Sequence, residues 1–276
     1  MKPISNLVLL SLLAGAVPAL AAAQPTDPLH DFDCVVEPSA VVDLGAGVPG
    51  LLADTPYDRG DRVERGALLG RLDSRLEEVG VRIAEEIAAS GTALDLRATT
   101  SEFGARTSAR NQRLAASSAV SEQVMDQVRT EARIAELQLR QEREAQSLAA
   151  LELARARVQL ARRELRSPID GTVVQRFHEP GEYVDAEPVY RIARLDPLHV
   201  EVIVPVEYLG RVTPGMSAAV TLTVPDLESR ALAATVERVD AVADAASASY
   251  GVRLRLENPD LALPSGVRCR VDFIES

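Results

Sequence analysis

The chain has 276 residues, 46% hydrophobic and 26% charged, with 41 acidic against 30 basic side chains and a net charge of −11. That balance excludes nucleic acid as a partner, since phosphate binding draws on clustered lysine and arginine; solubility and codon usage account for the acidity itself. Lys2 is the only lysine, and four Phe, five Tyr and no Trp leave no aromatic-rich pocket for a solute.

Residues 1–23 begin with Lys2, continue through an apolar run from Leu7 to Leu20, and end in Ala21-Ala22-Ala23. This is the three-part layout of a secretory signal peptide, with cleavage expected before Ala22 or Gln24. The run is short and broken by Gly15 and Pro18, so it spans a bilayer poorly; a retained amphipathic anchor is the alternative. No cysteine follows the small residues, so no lipoprotein anchor is expected there. The expected location is the periplasm, a compartment in which a disulfide survives. The chain has two cysteines, Cys34 and Cys269.

Residues 24–43 hold a strand-like segment around Asp33–Val36, and residues 44–73 are a Gly- and Pro-punctuated apolar stretch that reads as short strands. Residues 74–166 are helical. From Ser121 to Ser167 there is no Gly or Pro, the composition favours the strongest helix formers, and Pro168 ends the run. A helix of about 46 residues reaches roughly 70 Å. The preceding helical segment, Asp73 to about Leu114, is weaker because it carries Gly80, Gly91 and Gly104. With a turn at Ala115–Val120, the two form an antiparallel hairpin. The strand pattern returns in residues 167–195 and 196–276.

Two apolar stripes run along the second helix. Met125, Val128, Ala132, Ala135, Leu139, Ala149, Leu153, Ala156 and Leu160 follow the seven-residue repeat of a coiled-coil seam. Ile134, Leu137, Leu148, Leu151, Val158 and Leu165 lie on nearly the opposite face. Two readings of this second stripe stay open: drift of the buried face along a 3.6-residue helix, or a surface that packs on neighbouring protomers. Charges on the other faces read as solvated, with Glu136 four residues before Arg140.

The segments flanking the hairpin repeat one another. Gly50–Gly60 and Gly171–Gly181 share Gly-x9-Gly without a gap, and the register continues, Val48 matching Ile169, Val63 matching Val184, Leu68 matching Val189. Each copy reads as strand, glycine turn, strand and apolar strand. Such a repeat implies two half-units folding around one core, so the halves meet at the base of the hairpin.

Those residues carry a resemblance. Val63–Asp73 resembles the first half of a split lipoyl-like domain; Leu165–Gly171 with Pro180–Val184 resembles its second half. Leu195–Val204, Gly215-Met216, Asn258-Pro259 and Leu263–Gly266 resemble the β-barrel domain that follows. In this order they resemble HlyD-like membrane fusion proteins, the periplasmic adaptor subunits of resistance-nodulation-division (RND) type efflux systems and of other exporters. The resemblance implies a mixed α and β protein: an elongated protomer with the hairpin inserted into the split lipoyl-like domain, a β-barrel after it, and an N-terminal strand joining that barrel. It implies a homo-oligomer that bridges an inner-membrane transporter and a TolC-type outer-membrane channel. RND partners are favoured by the tip motif and the lack of an anchor; the adaptor of an ABC-type exporter or secretion system is the alternative. Many relatives carry a further membrane-proximal β domain, for which no length remains after Ile274, so the resemblance leaves the transporter contact, and the need for a second adaptor, undefined.

At the hairpin tip, Arg110-x3-Leu114-x6-Ser121 resembles the spacing with which the family docks on TolC-type channels. Beside that role stand plainer ones: a solvated charge for Arg110, a seam position for Leu114, and an N-cap for Ser121. The resemblance also returns the Cys34 segment to the barrel, which makes Cys34–Cys269 a candidate disulfide; two free core cysteines are the alternative.

Lipoyl and biotinyl carriers present a modified lysine, and the chain beyond Lys2 has none, which excludes group carriage. A purely structural coiled-coil protein fits the periodicity but not the flanking repeat. His30, His178 and His199 are dispersed without metal-ligand spacing, Met125 and Met216 form no relay, and no G-x-S-x-G or P-loop pattern occurs. No enzyme activity, metal or cofactor is expected, and the energy for transport comes from a partner.

Overall fold

A computed structural model of the chain describes residues 29–116, 120–225 and 230–274; the expected signal peptide lies outside them. The chain divides into two compact units, one from residues 38–198 and 257–265, the other from 29–37, 199–256 and 266–274.

In the first unit the sequence repeat becomes a symmetric exchange of strands. Strands β1 (Phe32–Gly45), β2 (Gly50–Asp54), β3 (Arg62–Val63) and β4 (Leu68–Leu72) precede the helices. Strands β5 (Glu164–Arg166), β6 (Gly171–Arg176), β7 (Tyr183–Val184) and β8 (Pro188–Pro205) follow them. β2 pairs with β7, setting Gly50 opposite Val184, and β3 pairs with β6, setting Val63 opposite Gly171. Gly60 donates its N–H to Val173 O and Gly181 donates to Leu52 O, at 2.9 and 2.7 Å. Both glycines have φ +96°, a left-handed conformation that the matching turns require. Each half thus closes on the other's strands. The shared core, Leu52, Val63, Leu69 and Leu72 with Leu165, Val173, Val184, Tyr190 and Ile192, draws on both halves. Neither half buries enough apolar surface alone.

Helices α1 (Arg75–Ala89), α2 (Thr92–Ala115) and α3 (Glu122–Ala161) form the inserted hairpin. Two features differ from the helical run read in the sequence. The first arm breaks at Ser90-Gly91, where Ser90 is extended (ψ 106°) and Gly91 begins α2. The second arm stops at Ala161, and Glu164–Arg166 becomes β5, paired with β4. Leu72 donates its N–H to Arg163 O at 2.8 Å, and Leu165 is 2% exposed in the sandwich core. Leu165 therefore does not belong to the outer helical stripe: ladder bonds and core burial outweigh its helix propensity.

In the same unit, Asn258 is buried and anchors residues 257–265. Its side-chain amide donates to the carbonyls of Leu195 and Leu263, its side-chain oxygen accepts from Leu263 N–H, and its own N–H donates to Asp196.

The second unit is a barrel. β9 (Ser217–Leu222), β10 (Ala231–Val239), β11 (Ser249–Leu256) and β12 (Val267–Phe273) join the start of β1 and the end of β8 in the order β1-β12-β9-β10-β11-β8. β1 also pairs with β8. Alternation points Phe32, Cys34 and Val36 of β1, and Cys269, Val271 and Phe273 of β12, into the interior.

Candidate functional site

The hairpin carries most of the residues singled out in the sequence. Every member of the first stripe, from Met125 to Leu160, is buried or half-buried, so that stripe is the seam against α1 and α2. Two polar residues, Glu142 and Gln146, are half-buried at the same seven-residue spacing and complete the seam. Gln146 donates across it to the backbone carbonyl of Ala88. Nearer the tip, Arg97 donates to Gln138 at 3.0 Å. Gly104 lets the helices approach, since a β-carbon there would lie 3.2 Å from Ala132 Cα.

The second stripe faces outward. Ile134, Leu137, Leu148, Leu151 and Val158 are 44–65% exposed. A drifting seam would alternate burial between the two stripes; instead one stays covered and the other open along the whole helix. Between α1 and α3 lies a mostly apolar groove lined by Gly80, Ile83, Ala84, Ile87, Ala149 and Ala156, with Glu152 and Arg155 also in its lining. Glu136 pairs with Arg133 at 2.7 Å, closer than with Arg140 at 3.8 Å.

At the far end of the hairpin, Arg110 and Leu114 lie one turn apart in the last turns of α2, both exposed, and Ser121 precedes α3. Ser121 is extended and its hydroxyl accepts the N–H of Val124 at 3.5 Å, the geometry of an N-cap. The three residues share the end where the arms turn back, presenting a cation, an aliphatic side chain and a hydroxyl. Residues 117–119 of the turn lie outside the described residues.

The opposite end is fastened to the sandwich by arginines. Arg163 pairs with Glu77 at 2.6 Å, both largely shielded, and donates to Pro49 O, while Arg162 donates to Gly47 O. Asp73, just before α1, takes hydrogen bonds from the Arg75 side chain and backbone N–H, which hold its carboxyl at about 2. In the second-half turn, His178 is bonded to Glu182 at 2.8 Å. That bond, helped by the Glu179 N–H, keeps the Glu182 carboxyl below the usual range. The equivalent turn of the first half presents Arg59-Gly60.

In the barrel, Cys34 and Cys269 stand opposite each other in the β1–β12 register. They are joined, with S–S 2.10 Å and Cα–Cα 4.9 Å. His30 lies near Asp272 and His199 near Glu237, each at 3.5 Å. Among the described residues no helix is long and apolar enough to cross a membrane.

Comparison with known proteins adds four likenesses. A family model described as "CusB-like, beta-barrel domain" matches residues 197–276. A UPF0194 membrane protein of Yersinia pseudotuberculosis serotype IB (strain PB1/+) is 30% identical over 220 residues, which cover 65% of this chain and 67% of that protein. Among solved structures, MacA from Actinobacillus actinomycetemcomitans is similar at TM-score 0.75 and 21% identity, over 89% of this chain and 78% of that one. The membrane fusion protein Spr0693 from Streptococcus pneumoniae R6 is similar at TM-score 0.62 and 16% identity, over 89% and 99%. At those identities the structural likeness is one of fold.

Proposed function

The chain belongs to the membrane fusion protein family, the periplasmic adaptors of efflux systems, and from that premise we propose that it bridges an RND-type inner-membrane transporter and a TolC-type outer-membrane channel. The family works with a transporter in the inner membrane and a channel in the outer one, and its members are structural proteins rather than enzymes. The RND label of the matching barrel model supports the choice of transporter class. Delivery to the periplasm is assigned to the segment Met1–Ala23, acting as a cleaved signal peptide.

The observation that carries the docking reading is the exposure of Arg110, Leu114 and Ser121 at one end of the hairpin. A cation and an apolar contact one turn apart, beside a capped helix start, suit a helical channel rim offering carboxylates and small apolar pockets. The open stripe supports homo-oligomerisation: Leu137, Leu148, Leu151 and their neighbours are apolar and well exposed among the described residues. The adaptor carries no transport chemistry of its own; it holds partners in register while they supply the energy.

Export measured in cells lacking the native gene tests the tip. The Arg110→Asp/Leu114→Asp double variant is expected to fold and reach the periplasm at wild-type level while losing export. Wild-type export by that variant would refute the docking assignment. Ser121→Asn keeps the cap, so loss of export in that variant separates a docking hydroxyl from a purely local one. Crosslinking followed by identification of the inner-membrane partner distinguishes an RND transporter from an ABC exporter.

A further inference from the structure

A cleft in the first unit carries charged groups that the fold leaves unengaged. β3, the start of β6, the middle of β8 and the segment 257–265 surround a cavity of about 490 Å³. Leu195, Pro259 and Leu261 give it an apolar wall, and Arg62, Glu64 and Arg194 line the same space. Arg194 is half-buried, and its guanidinium has no hydrogen-bond or ion-pair partner among the described residues. Arg62 reaches only the Asp260 carbonyl, at 3.3 Å. Other arginines of this unit are tied down: Arg65 donates to Pro168 O, Arg176 pairs with Glu179, and Arg191 with Asp43. The Glu64 carboxylate, like Arg194, takes no partner among the described residues.

The walls of the cleft are fixed. Its other two carboxylates hold backbone: Asp170 accepts the Arg65 N–H at 2.8 Å, and Asp196 accepts the Asn258 N–H at 2.9 Å. The remaining side is the segment that Asn258 anchors. There Leu261 has φ 53°, a left-handed conformation that residues with a β-carbon rarely adopt. Its N–H donates to Asn258 O at 2.9 Å, and Leu263 N–H donates to the Asn258 side chain at 3.0 Å. Backbone held in a sparsely populated region by surrounding bonds is a recurrent feature of ligand clamps. Here it fixes the apolar wall of a cleft that also holds two cations.

The chemistry of the lining selects the ligand. A half-buried guanidinium without an anion gains most from a carboxylate, which it meets with two parallel charge-assisted hydrogen bonds. A plain anion fits less well, because Glu64, Asp170 and Asp196 outnumber Arg62 and Arg194. A ligand carrying both signs satisfies the set: its carboxylate meets Arg194, its ammonium meets Glu64, and an aliphatic body covers Leu195 and Leu261. No described aromatic residue lines the cleft, so recognition falls to charge and aliphatic contact. The volume lies within the roughly 300–1,000 Å³ of small-molecule sites. We propose that this cleft binds a small aliphatic zwitterion, an amino acid or short peptide with free ammonium and carboxylate ends. The assignment goes beyond the adaptor reading and does not rest on it.

Ligand-observed NMR titration of the chain purified from the periplasm tests the site, with the dipeptide Ala-Leu as probe. Ala-Leu amide and N-acetyl-Ala-Leu, each lacking one charged end, are run beside it. Ala-Leu is expected to bind with a Kd of about 1 mM or below, and each capped form about tenfold more weakly. Arg194→Gln should weaken Ala-Leu about tenfold while leaving the amide unchanged, and Glu64→Gln should do the same while leaving the N-acetyl form unchanged. The capped ligands against the unaltered chain keep the test decisive should either variant fail to fold. No binding of Ala-Leu, equal binding of the capped forms, or folded variants that bind as the unaltered chain does would overturn the proposal. Inorganic phosphate bound in place of Ala-Leu, weakened by Arg194→Gln and indifferent to Glu64→Gln, would make the cleft a plain anion site and overturn it as well.

Discussion

Gly171 shows how closely single positions are set by the repeat. A β-carbon there would sit 2.5 Å from Ala193 O and 3.0 Å from Ile192 Cγ2, both in the paired strand or its core. Gly171→Ala is expected to cost about 1–3 kcal/mol, because a carbonyl in a ladder cannot step aside. Its counterpart Gly50 would meet the Arg163 guanidinium at 2.7 Å instead. That is the far end of a flexible side chain, so Gly50→Ala costs less. Gly80, with open space around it in α1, should gain roughly 0.5–1 kcal/mol on change to alanine. Urea unfolding of the three variants gives the order directly. Cys34 and Cys269 pose a separate test. Their bond closes a separation of 235 residues, and Cys34→Ser/Cys269→Ser is expected to lose about 2–4 kcal/mol of stability. Alkylation of the native, oxidised protein should label no thiol; two labelled cysteines would remove the bridge and leave a pair of core side chains.

Along α3, burial separates two helical faces that periodicity alone left ambiguous. The covered face fastens the hairpin to itself, and the open face is left 44–65% exposed by the described residues. Replacing Leu137 and Leu151 together by Glu should therefore weaken self-association while the melting temperature stays within a degree or two of wild type. Sedimentation at high concentration measures the first and calorimetry the second. An unchanged oligomer distribution with a lowered melting temperature would return those residues to the intramolecular seam. Leu153→Ala, in the seam, serves as the reference, with the loss of stability expected of a half-buried leucine, about 1–3 kcal/mol.

For the molecule as a whole, the decisive feature is that the two sandwich halves are separated by the entire hairpin yet close on one another. β4 and β5 bring Arg71 opposite Glu164, so the chain leaves and re-enters the sandwich at neighbouring points. Replacing Arg75–Ala161 by a short Gly/Ser linker should consequently give a protein that folds cooperatively. A linker of a few residues also lowers the loop-closure cost. Circular dichroism is expected to show loss of most helix with strand signal retained, and export should be abolished because the tip is gone. A molten or aggregated product would mean that the hairpin base, with Arg163 on Glu77 and Pro49, is needed to bring the halves together.

What the sequence determined by itself is the modular order and the outline of the core. Glycine spacing, the matched apolar register of the two halves, and a long Gly- and Pro-free run are local signals. They sufficed for the split sandwich, the hairpin and the seam. The placement of Arg110, Leu114 and Ser121 at one end of the hairpin was also legible, since they sit within a few turns of one bend. Tertiary structure decided the rest. Leu165 carries a helical pattern, yet pairing with β4 and burial beside Leu69 and Leu72 make it a strand residue. Asn258 reads as a loop residue, and only folding gathers Leu195, Asp196 and Leu263 around it. Periodicity records what a residue's neighbours in the chain do; it cannot record which distant backbone will offer a ladder, a carbonyl or a shared surface.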